Sequence, residues 1–178
     1  MKKIFLIAGH QPQTGAKAFL DEGIETLKMR NLIYKYLKSM GVNPIMDDDC
    51  KPLKEIVSWL KKNVTKEDIC LDIHFNCSGN PSANGTEVFI PTQHCSDEKR
   101  IAKEILTNTV DVLGTKTRGV KLESQTHLGK IAMLSNFDAC NILLEVCFIS
   151  NTDDVDKYST HREELAKQIA SVLAKEVL

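Results

Sequence analysis

The chain has 178 residues, of which 42% are hydrophobic and 26% are charged, and its formal net charge at pH 7 is −1. This length and composition are typical of one globular domain with a single substantial core. A balanced charge without a basic block argues against nucleic acid and anionic membranes as main partners. We expect neither partner, and we expect a monomer.

The first predicted element is a short apolar strand over residues 3–9, with the pattern of a strand central to a parallel sheet. His10 follows its C-terminal end, where the ligand sites of open α/β sheets lie. The run is too short for a signal peptide, and no other segment approaches the ~18 apolar residues of a membrane span. We therefore expect a protein made in the cytoplasm without a signal peptide, which needs a separate route to act outside the cell.

Residues 21–40 are predicted to form a helix that ends at Gly41. Its apolar residues recur at helical spacing and define one buried stripe: Met29, Ile33, Tyr36, Leu37 and Met40. At about 100° per residue, Glu22 falls near the centre line of this stripe and Glu25 falls towards its edge. A carboxylate on that face points into the protein beside the sheet, although acidic residues are also simply favourable near a helix N-terminus.

Residues 68–76 alternate between apolar and polar side chains, which predicts another strand. The alternation puts His74 and Asn76 on one face at the C-terminal end of the strand. A lone histidine in a core is the simpler interpretation. Here, however, His74 points from a strand end into the same region that is predicted for His10.

The other predicted elements are strands over 42–46 and 86–91 and helices over 53–64 and 96–113. An irregular stretch is predicted from Arg118 to Leu134, and a capping-box pattern at Thr160 predicts the start of the final helix. This alternation of strands and helices predicts an α/β fold, a three-layer αβα arrangement with a mainly parallel, twisted central sheet of about six strands. We expect one domain over residues 1–178.

Residues 139–151 have the pattern of a strand buried on both faces, yet Glu145 lies in the middle of the apolar run. An unpaired charge there is very costly, so Glu145 must be protonated, paired with a cation, or facing a cleft or a metal. A Glu at a strand end that points to solvent or to a lysine is the alternative. The histidines at the other strand ends favour the functional interpretation.

Six cysteines lie at positions 50, 70, 77, 95, 140 and 147. No pair has the two-residue spacing of a zinc ribbon or a thioredoxin-type motif. We expect all six to be reduced and structural.

His10, His74 and either Glu22 or Glu25 are brought to one end of the sheet by elements that are predicted independently. Two imidazoles and one carboxylate form a known catalytic zinc set, which leaves a fourth position for water. The sequence therefore predicts a metal site at this end of the sheet.

The chain also resembles a known family through an ordered set of segments: Ile4–Gly9 with His10, the acidic start of the first helix, Asp72–Ser78, Gly85–Val88, Arg118–Lys121 and Leu143–Asn151. It resembles the zinc-dependent N-acetylmuramoyl-L-alanine amidases of the amidase-3 type, and most of all the compact catalytic domains of phage endolysins. The resemblance covers nearly the whole chain. It departs from the family in one place, because Gln11-Pro12-Gln13 replaces a glycine-rich run.

The resemblance implies that His10, Glu22 and His74 hold Zn2+, that Glu145 is the catalytic carboxylate and that Asn76 contacts substrate. It implies hydrolysis of the amide between N-acetylmuramic acid and L-alanine in peptidoglycan by zinc-activated water. It also suggests action on the bacterial cell wall after phage-type release.

Several alternatives remain at this stage. Glu25 is the other candidate for the acidic ligand, and His127 lies where the family has residues facing substrate, although an exposed loop histidine is the simpler interpretation. A non-catalytic wall-binding module of the same fold is a second class of function, which would not need Glu145. A zinc hydrolase of a small peptide or acyl amino acid is a third.

Overall fold

The computed structural model describes residues 2–11, 14–49 and 51–178 of the chain. In these residues the strands are β1 Ile4–Ala8, β2 Ile45–Met46, β3 Ile69–Asn76, β4 Thr86–Ile90, β5 Thr117–Leu122 and β6 Cys140–Phe148. The helices are α1 Glu22–Ser39, α2 Leu53–Asn63, α3 Ser96–Leu113, α4 Ala132–Ser135 and α5 Thr152–Ala174, with a 3-10 turn at Glu123–Gln125.

The strands form one sheet in the order β2-β1-β3-β6-β4-β5. Neighbouring strands are parallel except at one seam, where β4 is antiparallel to β6. Helices α1, α3 and α5 pack on one face of the sheet, and α2 and α4 pack on the other. The predicted three-layer α/β fold with a mainly parallel sheet is therefore confirmed.

Strand β1 shows why the central strands have continuous apolar sequences. Ile4 and Leu6 belong to the core cluster beneath α1, α3 and α5, whereas Phe5 and Ile7 pack with side chains of α2. Successive side chains point to opposite faces, and both faces are covered by helices. An apolar residue is therefore favourable at every position of the strand.

The parallel strands β1, β3 and β6 end at the same edge of the sheet. There the Gly9 N–H donates to the Ile73 carbonyl oxygen at 2.9 Å, which extends the pairing of β1 to the residue before His10. His74 of β3 lies opposite Glu145 of β6 in the strand register. The fold thus brings three of the predicted site residues to one place.

Two sequence predictions about individual elements are wrong. The stretch from Arg118 was predicted to be irregular, but residues 117–122 form the edge strand β5. Its charged residues suit an exposed edge and hide the alternation of a buried strand. The last helix begins at Thr152 rather than Thr160, because the Asn151 side chain accepts a hydrogen bond from the Asp154 N–H and caps it there.

The cysteine prediction holds only in part. The described cysteines are free thiols, of which Cys70, Cys140 and Cys147 are buried and Cys77 and Cys95 are exposed. The two exposed thiols therefore do not act as small core residues. Cys50, like Pro12 and Gln13 of the segment that replaces the glycine-rich run, lies outside the described residues. In the part of the chain that is described, no helix is long and apolar enough to cross a membrane.

Candidate metal centre and cleft

Three of the predicted site residues converge at the carboxyl edge of the sheet. The Oε1 atom of Glu22 lies 3.3 Å from His10 Nε2 and 3.4 Å from His74 Nδ1. One ligand atom from each of the three residues lies within 4.8 Å of the other two. Two imidazole nitrogens and one carboxylate oxygen form a donor set that suits zinc, so these residues fit the metal that the sequence predicts.

Glu22 is held in place by the backbone of two other segments. Its Oε2 accepts a hydrogen bond from the Ala16 N–H at 2.8 Å, and its Oε1 accepts one from the Phe75 N–H at 3.2 Å. Asp21 is the N-cap of α1, which fixes the start of the helix directly before Glu22. The carboxylate therefore joins α1, the loop after β1 and the end of β3.

Glu25 is also buried, but it is engaged elsewhere. The Tyr158 hydroxyl of α5 donates to Glu25 Oε2 at 3.1 Å, and Lys28 pairs with Oε1 at 2.7 Å. Of the two glutamates that the sequence leaves open, the structure therefore brings Glu22 and not Glu25 beside the histidines.

Asp72 lies behind His74 and was not among the predicted site residues. Its Oδ2 is 3.1 Å from His74 Nε2, and its side chain is buried. A carboxylate in this position accepts the N–H of one ring nitrogen, which leaves the other nitrogen, Nδ1, free to bind a metal. The signal was present in the sequence, because the alternation of β3 puts Asp72 and His74 on the same face.

Two glycines leave the space that the histidine rings occupy. A methyl group at Gly9 would lie 2.2 Å from His74 Nε2, and one at Gly15 would lie 2.8 Å from His10 Cγ. Gly15 also has a φ of +83°, a conformation that other residues rarely adopt. Both backbones therefore contact an imidazole ring closely.

Glu145 continues the line of polar side chains across the sheet. It lies opposite His74 of β3 and opposite Glu87 of β4. Its Oε2 atom is buried and has no hydrogen-bond partner among the described residues. Burial raises the pKa of Glu145 to about 7; the charge of His74 opposes the shift, and the charges of Glu22 and Glu87 add to it.

The pKa values of Glu22 and His74, which lie near Glu145, are shifted in opposite directions. Burial alone would raise the pKa of Glu22, but hydrogen bonds from His10 and His74 outweigh burial and lower it. Burial alone would lower the pKa of His74, but the charge and the hydrogen bond of Asp72 raise it well above the ordinary value. Both shifts favour the charged forms of Glu22 and His74, so the cluster favours a positive charge beside Glu22, where a metal cation would also be favoured.

The raised pKa of Glu145 predicts that the stability of the metal-free protein depends on pH. Folding raises this pKa from 4.5 to about 7, so the folded state binds the proton more tightly. The resulting stabilisation is complete below about pH 4.5 and is lost as the pH rises through about 7. We expect the stability advantage of Glu145→Gln over the parent to grow by about 3 kcal/mol between about pH 4 and pH 8. Denaturant unfolding in the presence of chelator measures it, and an advantage that is the same at both pH values would contradict the raised pKa.

A cleft of about 510 Å³ opens over these residues. Its floor includes His10, His74 and Glu145, and the exposed side chains of Leu53 and Leu128 stand at its rim. His127 is exposed and also lines the cleft. The cleft is therefore large enough for a peptide or sugar fragment, and polar groups lie both among its buried and among its exposed lining residues.

The predicted substrate residue Asn76 lies in the same cleft and contacts Glu87. Its side-chain amide donates to Glu87 Oε1 at 2.7 Å. Arg118 Nε donates to Glu87 Oε2 at 3.2 Å, and Lys121 contacts the same oxygen. Burial raises the pKa of Glu87, but its hydrogen bonds to Lys121 and Asn76 and the charges of both cations outweigh burial and lower it. Glu87 is therefore an ionised group that the sequence did not single out.

Comparison with known proteins adds independent evidence. The sequence model of the Amidase_3 family, described as N-acetylmuramoyl-L-alanine amidase, matches residues 4–175. The chain is 30% identical to the uncharacterized protein YqiI of Bacillus subtilis over 97% of this chain and 81% of YqiI. It is 28% identical to the N-acetylmuramoyl-L-alanine amidase LytC of the same organism, over 93% of this chain and 34% of LytC.

Solved structures show the same fold. Cwp6 from Clostridium difficile superposes with a TM-score of 0.85 at 27% identity, over 99% of this chain and 29% of the Cwp6 chain. The chain thus spans most of YqiI but only about a third of LytC and of Cwp6.

Proposed function

We infer the function from an established premise: this chain belongs to the Amidase_3 family of N-acetylmuramoyl-L-alanine amidases. Its activity class is therefore that of a peptidoglycan amidase. We propose that it hydrolyses the amide between N-acetylmuramic acid and L-alanine with zinc-activated water and that it acts on the bacterial cell wall. The observation that carries the proposal is the convergence of His10, Glu22 and His74 beside Glu145 in one cleft.

In this proposal His10, Glu22 and His74 would hold the metal, through His10 Nε2, His74 Nδ1 and a Glu22 oxygen. Zinc in such a site supplies a water whose pKa is lowered to about 7 and polarises the carbonyl of the scissile amide. Asp72 holds the His74 ring, and the N–H groups of Ala16 and Phe75 hold the Glu22 carboxylate. The protein thus supplies both the ligands and the groups that orient them.

Glu145 acts as general base and then as general acid. As a carboxylate it takes a proton from the attacking water, whose oxygen forms the new bond to the lactyl carbonyl carbon. It then delivers that proton to the nitrogen of L-alanine as the C–N bond breaks, which leaves a carboxylate on the sugar and a free amine on the peptide. A buried carboxyl that lines the cleft beside the predicted metal ligands is placed for both transfers.

The products identify the bond. Digestion of purified peptidoglycan followed by mass spectrometry is expected to release stem peptides that begin with free L-alanine, together with glycan strands free of peptide. Glycan fragments that still carry peptide, or peptides cut inside the stem, would contradict the proposed bond.

Asp72 provides a prediction about metal affinity. In Asp72→Asn the side chain no longer presents a charged acceptor to His74 Nε2, so the ring is less well fixed. We expect zinc affinity to fall by ~10- to 100-fold, measured by competition with a chelating dye. Asp68→Asn is the matched control, because Asp68 is a buried carboxylate just before the other end of β3 and accepts hydrogen bonds from Lys3 and Thr65. Equal zinc affinity in both variants would contradict the role of Asp72.

Gly9 provides a second prediction. In Gly9→Ala the new methyl group overlaps the ring of His74, so the ring or the end of β1 must shift. We expect the variant to lose ~1–3 kcal/mol of stability and to bind zinc more weakly. Gly79→Ala is the control, because a methyl group there would have no atom within 4 Å. Unchanged zinc affinity in Gly9→Ala would show that the close contact with His74 does not position a ligand.

A further inference from the structure

A β-bulge brings two cations, Arg118 and Lys121, to Glu87, on the side of Glu145 away from the predicted metal ligands, and Lys121 lines the cleft. Thr86 pairs with Thr117 and Val88 pairs with Val120, so β5 has one more residue than β4 in this interval. Gly119 lies in this bulge and has a φ of +90°, a conformation that suits glycine. Without the bulge, residues 118 and 121 would point to opposite faces of the sheet. With it, both side chains reach Glu87.

The resulting cluster has a surplus of positive charge. One buried carboxylate, Glu87, is shared by Arg118 and Lys121, whose side chains are 33% and 31% exposed. The only other polar side chain on Glu87 among the described residues is the neutral amide of Asn76. Lysine and arginine carry three and five N–H donors, so both cations retain donors that Glu87 does not use.

The position of this cluster relates it to the scissile bond. His74, Glu145 and Glu87 lie on three neighbouring strands in direct register, and Lys121 lies on the next strand. A substrate whose amide carbonyl lies over His74 and Glu145 therefore extends over Lys121 on one side. The two ends of the proposed substrate differ in charge: the glycan strand is neutral once its lactyl carboxyl is in the amide, whereas the stem peptide carries free carboxylates.

We propose that Arg118 and Lys121, held by Glu87, form a subsite for a free carboxylate of the stem peptide next to L-alanine. The inference rests on the proposed function and adds to it an orientation, with the peptide over β4 and β5 and the glycan over β1. Glu87 is a positioning residue, and the two cations contact the substrate. Charge-assisted hydrogen bonds in a partly enclosed cleft give this contact its strength.

A pair of defined substrates tests the subsite. Both are N-acetylmuramoyl tetrapeptides; one has a free α-carboxylate on its second residue, D-glutamate, and in the other this group is a carboxamide. We expect kcat/KM to be about tenfold higher for the acid than for the amide, mainly through KM. In Lys121→Met and Arg118→Met this preference shrinks, and in Lys121→Arg it persists. Lys157→Met is the matched control, because Lys157 pairs with Asp153 on α5 with a similar exposure of 33%.

Binding provides a readout that is separate from turnover. The released tetrapeptide with the free carboxylate is expected to bind the parent protein about tenfold more tightly in calorimetry than its amidated form, and the difference is lost in Lys121→Met. Circular dichroism confirms that each variant is folded. Equal cleavage and equal binding of the acid and amide forms would overturn the subsite and leave the amidase proposal intact. No cleavage of either substrate, or of peptidoglycan, would overturn the proposed function itself.

Discussion

Replacing Glu145 with glutamine is expected to lower the turnover of peptidoglycan by ~100-fold or more while zinc still binds stoichiometrically. Glutamine keeps the shape of the side chain but cannot accept a proton from water or return one to the leaving amine. The Oε2 atom of Glu145 is buried and has no hydrogen-bond partner among the described residues, so the substitution breaks no hydrogen bond of that atom. Turnover is measured on purified peptidoglycan, and bound metal is measured by elemental analysis.

The control for this substitution is Glu55→Gln. Glu55 lies on α2 with its side chain 58% exposed and pairs only with Lys51 among the described residues, so its loss should leave turnover within about twofold. Near-normal activity of Glu145→Gln would remove Glu145 from the mechanism. Loss of zinc together with activity would make it a structural residue of the metal site instead.

Replacing Glu22 with glutamine is expected to weaken zinc binding by at least ~100-fold and to abolish turnover at low metal concentration. The substitution removes the one anionic ligand of the set, and its neutral amide leaves the two histidines without a counter-charge. Equilibrium dialysis against a zinc buffer measures affinity, and the activity assay is repeated over a range of zinc concentrations.

Glu25→Gln is the matched control for Glu22→Gln. Both glutamates are buried in the first turn of α1, and each substitution disturbs buried hydrogen bonds. Only Glu22 contacts the histidines, so only Glu22→Gln should lose the metal. The opposite result, with zinc lost in Glu25→Gln and kept in Glu22→Gln, would move the acidic ligand one turn along the helix.

The sequence predicted the elements that can be recognised from the pattern of apolar and polar residues within one short segment. Strands β1, β3 and β6 are covered by helices on both faces, so their apolar runs identify them directly. The same burial made Glu145 anomalous within its strand. His74 and Asn76 were placed on one face by the period of two, and this face is indeed the face of the cleft.

The parts that were missed depend on contacts between distant segments. Glu87 faces Glu145 only because β4 is inserted antiparallel beside β6, and nothing in the sequence of β4 specifies that neighbour. The strand β5 lies at the edge, where charged residues replace the apolar pattern. The choice between Glu22 and Glu25 depends on α5, near the end of the chain. The Tyr158 hydroxyl of that helix donates a hydrogen bond to Glu25, which holds Glu25 away from the histidines.

The roles of His10, Glu22, His74, Glu145 and Asn76 stay predictions until activity and metal content are measured. The same holds for a single catalytic domain over residues 1–178, for the monomeric state and for release by a phage-type route.

The most direct measurement is the release of new amino termini from purified peptidoglycan by the recombinant protein, first after chelation and again after zinc is restored. We expect L-alanine termini that disappear with the chelator and return in proportion to added zinc. Release that continues at full rate after the metal has been removed would contradict the zinc mechanism. No release from any type of wall, with zinc bound stoichiometrically, would contradict the amidase activity.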